Sequence, residues 1–264
     1  MTIPTFSYAD VLAIERAAAR AWPARAAVDV DGWIWRCSGG GSRRANSVLP
    51  LAFSGSDLVR AIGDIETRYR EQGLTCYFQI SSIARPENLD QRLADLGYCQ
   101  EEPCLLLAKR LIPTPVPTPV PTPVSSDVEV LSEPSADWLS IYGAGLDAAR
   151  RAAAPDVLAR VPGKRAFFLV RRDGAALATA LGIVSPDGIG LAECVATHPD
   201  RRRSGAARTV MAALEAWAFD QGAAIAALQV TEANAPARAL YASAQYQEAG
   251  RYHYRRRTVG KVET

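Results

Sequence analysis

The stretch ECVATHPDRRRSGAARTV, residues 193–210, decides how the rest of the chain is interpreted. An apolar segment leads into a short loop of arginines and small residues, and this loop opens a helical pattern over Gly205–Gln221. Gly205, Ala206 and Ala207 carry little side-chain bulk, so a ligand can approach the backbone there. Because the first amides of a helix have no partner within the helix, the loop predicts an anion site.

Four arginines add positive charge to this loop: Arg201, Arg202, Arg203 and Arg208. Such a loop suits a diphosphate. It lacks the GxxxxGK[ST] pattern of a P-loop and the GxGxxG pattern of a dinucleotide-binding loop. The sequence therefore predicts a diphosphate site that is neither a P-loop nor a dinucleotide-binding loop.

Three segments in this half carry a family resemblance. RRSGAA (202–207) matches the [RQ]-x-x-G-x-[GA] signature, and VATHP (195–199) is similar to the V-x-x-x-P element that precedes it. About 35 residues later, NAPARALY (234–241) matches the pattern N-x-x-A-x-x-L-Y. With these motifs in this order, residues 125–264 resemble the GCN5-related N-acetyltransferases (GNAT).

The resemblance implies acetyl-CoA, or another acyl-CoA, as cosubstrate, and no metal. It implies that backbone amides of the loop hold the pyrophosphate, namely those of Arg203, Gly205, Ala206, Ala207 and Arg208. The full cofactor-binding set also takes in flanking positions: Val195, Thr197, Arg202, Ser204 and Asn234. Val195 and Thr197 would pair with the pantetheine arm where two parallel strands splay apart, and Asn234 would hydrogen-bond the same arm.

Two residues are candidates for proton transfer. The resemblance assigns Tyr241 as the donor to the departing thiolate, and the alternative is a core tyrosine on a helix face. Glu193, on the strand before the loop, is the candidate general base. The alternative for Glu193 is a strand carboxylate that faces solvent or pairs with an arginine. One position departs from the family pattern: Gln245 stands where a glycine is usual before the aromatic Tyr246.

A proline repeat divides the chain. PTPVPTPVPTPV, residues 113–124, excludes helix and central strand because proline lacks an N–H, and it favours a stiff polyproline II linker. A ligand for a proline-binding module is the alternative interpretation. The linker separates residues 1–112 from residues 125–264, and each part has a size that can fold alone.

The first part carries its own glycine-rich segment, GGGSRRANSVLPL, residues 39–51. A structural hairpin with solvated arginines is one interpretation and a phosphate site is the other, and a strand is expected over Asn46–Phe53. With the segment Leu93-x-x-Leu96-Gly97-Tyr98, this part resembles the degenerate N-terminal module of bacterial two-module acetyltransferases. The resemblance implies a module that does not use acetyl-CoA and that shapes the acceptor site or is structural. The expected fold class is therefore α/β, with tandem GNAT-like mixed sheets flanked by helices.

Composition sets limits on the function. The 264 residues are 48% apolar and 22% charged, which excludes a disordered or fibrous chain, and a net charge of +2 argues against a nucleic-acid partner. Five irregularly spaced cysteines and two histidines give no metal-ligand pattern. A cytoplasmic protein without a membrane segment is expected.

The function that the resemblance implies is an N-acetyltransferase. Such an enzyme moves an acetyl group from acetyl-CoA to a primary amine by direct transfer in a ternary complex. The acceptor would be a small molecule or a peptide, and the sequence leaves its identity and the oligomeric state open. A non-catalytic acyl-CoA-binding sensor or scaffold is the alternative.

Overall fold

The computed structural model describes residues 6–111 and 127–258, so the predicted linker at 113–124 lies outside the described residues. The helices of the described residues are α1 (Tyr8–Ala21), α2 (Leu58–Glu71), α3 (Leu89–Asp95), α4 (Ala136–Ala144), α5 (Ala148–Arg160), α6 (Ala206–Asp220) and α7 (Ala235–Ser243). The strands are β1 (Ala26–Val30), β2 (Trp33–Cys37), β3 (Cys76–Ser81), β4 (Cys99–Arg110), β5 (Val128–Leu131), β6 (Lys164–Arg172), β7 (Ala175–Val184), β8 (Ile189–Thr197), β9 (Ile225–Thr231) and β10 (Gln247–Arg257).

Eight of these strands form one mixed sheet in the order β3-β10-β4-β9-β8-β7-β6-β5, while β1 and β2 form a separate hairpin. The mixed α/β class predicted from the sequence is confirmed. The strand order also shows that the two halves of the chain are interleaved. Strand β4 from the first half lies between β9 and β10 of the second half, and β10 lies between β3 and β4. The division at 113–124 stays a prediction, but the halves do not form separate sheets.

The side chains of β4 explain why this strand joins the second half. Leu105 and Leu107 belong to one apolar cluster of the sheet, together with residues of β9 and α6. Leu106 and Ala108 point the other way, into the cluster that contains α1. A strand that is apolar on both faces needs a packed layer on each side. Residues of α1 lie in the cluster on one face, and residues of α6 lie in the cluster on the other.

Part of the secondary structure differs from the expectation. The strand predicted over Asn46–Phe53 is wrong, since this segment makes only isolated bridges, Ile34 to Leu49 and Val48 to Phe78. The Asn46 side chain instead ties the glycine loop together by donating to two carbonyls and accepting from two amides within residues 38–42. The loop is therefore an ordered structure built around Asn46.

Helix α6 covers the sheet beside the motif loop. Val210, Leu214 and Ala218 are buried and recur every four residues, so they form one face against the sheet. The helix begins after Gly205, which has a φ of +80° that suits glycine. Its first turn therefore lies at the end of β8, where the strands of the sheet separate.

Candidate functional site

Strands β8 and β9 separate beside the motif loop. Their parallel pairing is confined to Ile189–Leu191 with Ile225–Ala227, although both strands continue beyond it. A bulge at Cys194 (φ +53°) interrupts the pairing of β8 with β7 on its other side, and Val195 has no partner in register. The Thr179 hydroxyl donates to the Cys194 carbonyl at 3.3 Å and holds the bulge. Half-buried Val195 and Thr197 therefore line an opening between the two strands.

The loop at the end of this opening presents backbone donors. Among the described residues, no protein acceptor pairs with the amides of five consecutive positions: Arg203, Ser204, Gly205, Ala206 and Ala207. An ideal Cβ placed on Gly205 meets no heavy atom within 4 Å, so the space above the loop is open. Successive free amides at a helix start are the chemistry of a diphosphate site.

Two details of the loop differ from the expected set. The Arg208 amide, expected to bind the pyrophosphate, donates to the Gly205 carbonyl at 3.0 Å and so completes the first helical turn. Ser204, by contrast, keeps its amide free, and its hydroxyl donates to the Arg201 carbonyl at 2.8 Å. The side chains of Arg201, Arg202, Arg203 and Arg208 are exposed around the loop.

Arg172, at the end of β6, holds the motif loop in place by hydrogen bonds. Its guanidinium donates to the Ser204 carbonyl at 3.0 Å, to the Thr209 hydroxyl at 3.2 Å and to the Asp127 carboxylate at 2.8 Å. Sequence reasoning missed this residue, because the contact joins a hairpin to a loop about thirty residues later. Arg172 fixes the loop through a carbonyl, which leaves the loop amides free.

The second motif forms helix α7. Asn234 caps this helix, since its side-chain oxygen accepts from the Ala237 amide at 3.2 Å, and its exposed amide group remains available. Gln245 adopts φ +67° after the helix, the conformation for which glycine is usual, so the turn is kept without glycine. The Tyr246 amide donates to the Tyr241 carbonyl at 3.0 Å across this turn.

Tyr241 is buried on α7, 6% exposed. Burial, and to a smaller extent the Glu193 carboxylate, raises the pKa of the Tyr241 hydroxyl to about 12. Within the part of the chain that the structure describes, the hydroxyl has no hydrogen-bond partner. Tyr241 is therefore protonated at neutral pH and free to donate.

Glu193 forms a two-point ion pair with Arg44. The Arg44 guanidinium donates to both carboxylate oxygens at 2.6 Å and also to the Gln229 side-chain oxygen at 3.2 Å. The side chains of Glu193 and Arg44 are 9% and 19% exposed. Arg44 belongs to the glycine-rich segment, so the expectation of solvated arginines there is wrong for this residue. Glu193 thus has the arginine pairing that was the alternative to a free base.

A cavity of about 260 Å³ lies where the halves of the chain meet. We call it the arginine-lined cavity, because its charged lining residues are Arg43, Arg44, Arg150 and Glu102. Trp22, Tyr142, Tyr252 and Tyr254 supply aromatic walls. Its floor includes residues 229–231, from the part of β9 that does not pair with β8. The cavity therefore adjoins the opening between these strands.

The other reactive side chains near the loop have structural partners. His198 precedes a turn of 3-10 helix (Pro199–Arg201), and its ring nitrogen accepts from the Asp200 amide at 3.3 Å. Burial raises the pKa of the Cys194 thiol well above its ordinary value, which keeps the thiol protonated. Residues 6–111 and 127–258 contain no cluster of metal-ligating side chains and no helix long and apolar enough to cross a membrane.

Comparison with known proteins identifies the family. Residues 8–257 match the family model described as "Probable histone acetyltransferase Rv0428c C-terminal". The chain belongs to this acetyltransferase family. It is 31% identical over 251 residues to the uncharacterized N-acetyltransferase YobR of Bacillus subtilis, covering 93% of this chain and 98% of that protein. It is 28% identical over 218 residues to Rv0428c of Mycobacterium tuberculosis, covering 81% of this chain and 64% of that protein.

Solved structures place the fold in the GNAT group. A GCN5-related N-acetyltransferase from Kribbella flavida aligns with a TM-score of 0.68 at 19% identity, covering 97% of both chains. A tandem GNAT protein from the clavulanic acid biosynthesis pathway aligns with a TM-score of 0.61 at 13% identity, covering 82% of this chain and 76% of that one. The Rv0428c-family chain is thus a GNAT-type, acyl-CoA-dependent N-acyltransferase.

The residues of this family member fit an acyl-CoA. The free amides at 203–207 and the open space above Gly205 suit a diphosphate. The unpaired edges of β8 and β9 beyond their short ladder offer backbone groups to an extended arm.

Proposed function

We propose that the protein transfers an acetyl group from acetyl-CoA to a primary amine, by direct transfer in a ternary complex. The observation that carries this proposal is the row of five unpaired amides beside a splayed pair of parallel strands. Bound there, acetyl-CoA supplies a thioester as the acyl donor. In the proposed reaction, the amine nitrogen bonds to the acyl carbon while the C–S bond breaks. The amine loses one proton and the departing sulfur gains one.

Binding of the donor would use the loop and the two strands. The amides of residues 203–207 would hold the pyrophosphate, with the exposed arginines 201–203 and 208 neutralising charge around it. Backbone groups of Val195 and Thr197 and the exposed Asn234 amide would orient the arm. Arg172 would keep the loop in this conformation through the Ser204 carbonyl.

Tyr241 is the proposed general acid. Its hydroxyl retains its proton at neutral pH, because its pKa lies near 12, and a departing thiolate would take that proton.

Glu193 is the proposed general base, and in this role it would have to accept a proton while it is paired with Arg44. Each carboxylate oxygen already accepts from Arg44, but a carboxylate has about four acceptor sites, so each oxygen keeps one for a proton. The base would therefore act without leaving Arg44. A pH–rate profile that keeps its acidic limb in Glu193→Gln would exclude this role.

We propose that the two halves of the chain have different roles in substrate binding. Residues 125–264 would carry the donor site, and residues 1–112 would shape the acceptor site, since Arg43 and Arg44 line the cavity. Residues 113–124 are the proposed linker.

The test of donor binding uses Gly205 variants. Gly205→Glu puts a carboxylate where the diphosphate would lie, so calorimetry is expected to detect no acetyl-CoA binding. Gly205→Ala is the matched control, because it shares the strain of φ +80° without the charge. It should lose affinity by less than about tenfold. Equal affinity in the two variants would contradict the loop assignment.

A further inference from the structure

The lining of the arginine-lined cavity contains more arginines than carboxylates. Three arginines and one glutamate, Glu102, are the charged residues of its lining. Arg44 is paired with Glu193, while Arg43 and Arg150 share Glu102, and each of these two also has one carboxylate outside the lining at 3.5 Å, on Glu101 and Asp147. Two guanidinium groups therefore share one lining carboxylate.

Arg43 and Arg150 have unused hydrogen-bond donors. Arg43 makes one side-chain hydrogen bond, to Glu102 at 2.5 Å, and lies 3.5 Å from the Glu101 carboxylate. The Arg150 side chain is 44% exposed, and the nearest carboxylates to its guanidinium, on Asp147 and Glu102, are 3.5 and 4.0 Å away. Within the described residues its side chain donates no hydrogen bond. Each arginine can thus still present a pair of N–H groups to an anion.

Two of the four aromatic walls, Trp22 and Tyr254, are already covered by arginines of the protein. The Arg43 guanidinium lies over the rings of Tyr77 and Tyr254 at 5.8 and 5.9 Å, and Arg44 lies over Trp22 at 5.1 Å. These ring faces already bind the protein's own cations.

From these observations we infer that the acceptor is a small primary amine that also carries a carboxylate, which Arg43 and Arg150 bind. The volume of about 260 Å³ suits a molecule of amino-acid size. Polycations such as polyamines and lysine-rich peptides are disfavoured, because three of the four charged lining residues are arginines. This inference rests on the proposed acetyl transfer, whose chemistry is unchanged, and it names the acceptor class.

The test compares matched acceptors with the full chain and acetyl-CoA, following thiol release. The set contains free amino acids, their amides, the corresponding amines without the carboxylate, spermidine and a lysine-rich peptide. Short peptides with free or amidated carboxyl ends are included to show whether the recognised carboxylate belongs to a peptide or to a free amino acid. We expect kcat/KM at least tenfold higher for each acid than for its amide. Equal or higher values for amides, spermidine or the lysine-rich peptide would overturn the inference.

Variants test the arginine itself. Arg150→Gln should raise KM for the carboxylate acceptor about tenfold or more, with kcat nearly constant and KM for the matched amide unchanged. Arg60→Gln is the control, since Arg60 is an exposed helical arginine that does not line the cavity. An equal rise in KM for acid and amide would mean that Arg150 acts only on structure, and the inference would fail.

A binding measurement distinguishes failure of this inference about the acceptor from failure of the proposed acetyl transfer. If acetyl-CoA binds but no acceptor is turned over, calorimetry with each amino acid and its amide in the presence of CoA replaces the rate measurement. Tighter binding of the acid supports the inference, and equal or weaker binding overturns it. Loss of acetyl-CoA binding to the unaltered chain would instead contradict the proposed function.

Discussion

Replacing Arg44 with methionine would test the ion pair that joins the halves of the chain. Its partner Glu193 is 9% exposed and accepts two hydrogen bonds of 2.6 Å from Arg44. Removal of one member of a buried pair leaves an uncompensated charge and costs about 3–5 kcal/mol. Arg44 itself is 19% exposed, which admits some water, so we expect the lower end of this range. Arg44→Met should therefore lower the free energy of unfolding by about 3 kcal/mol.

The assay is urea unfolding at pH 7.5, followed by circular dichroism and tryptophan fluorescence, within a double-mutant cycle. Glu193→Gln in the Arg44→Met background removes the remaining charge, so the double variant should regain about 2 kcal/mol. Arg60→Met is the matched control, because its pair with Asp64 is 3.8 Å long and exposed. It should change stability by less than about 0.5 kcal/mol. The reasoning is refuted if Arg44→Met unfolds like Arg60→Met, or if the cycle yields no coupling energy.

Three further predictions concern single residues. Tyr241→Phe should lower turnover about 10²–10³-fold and leave acetyl-CoA affinity within about twofold, and unchanged turnover would remove Tyr241 from the mechanism. Gln245→Gly should raise the free energy of unfolding by about 0.5–1 kcal/mol, because it relieves a φ of +67°, and a loss in urea unfolding would contradict this. Burial raises the pKa of Glu15 from 4.5 to about 7, so the native state binds the extra proton and stability should fall between about pH 5 and 8. Glu15→Gln should make the free energy of unfolding depend less on pH, with a difference from the unaltered chain of at most about 3 kcal/mol at pH 8. A pH dependence as steep as that of the unaltered chain would contradict this prediction.

Local signals allowed the free amides of the motif loop to be predicted. Small residues before a helical pattern predict free amides, and the structure leaves the amides of 203–207 without protein acceptors. The capping role of Asn234 follows from the same kind of short-range signal, since cap and helix are adjacent in the sequence. The predicted chemical roles of these residues are the subject of the proposed experiments.

The acceptor side could not be predicted in this way. Arg44 and Glu193 are 149 positions apart, and nothing in either local sequence identifies the other as its partner. The sequence predicts a strand over Asn46–Phe53, but this segment makes only isolated bridges. Its fold depends on the hydrogen bonds of Asn46 instead. Strand order is equally non-local, since apolar patterning marks β4 as buried but does not name its neighbours.

The position of β10 has a consequence for synthesis. This strand fills the gap between β3 and β4, yet it is translated more than a hundred residues after β4. At about 5–20 residues per second, the nascent first half waits roughly 7–30 seconds for the strand that completes it. During that interval β3 and β4 present unpaired edges to other chains. A slow codon or a pause after β4 would therefore lower the yield of native protein without altering any residue of the finished enzyme.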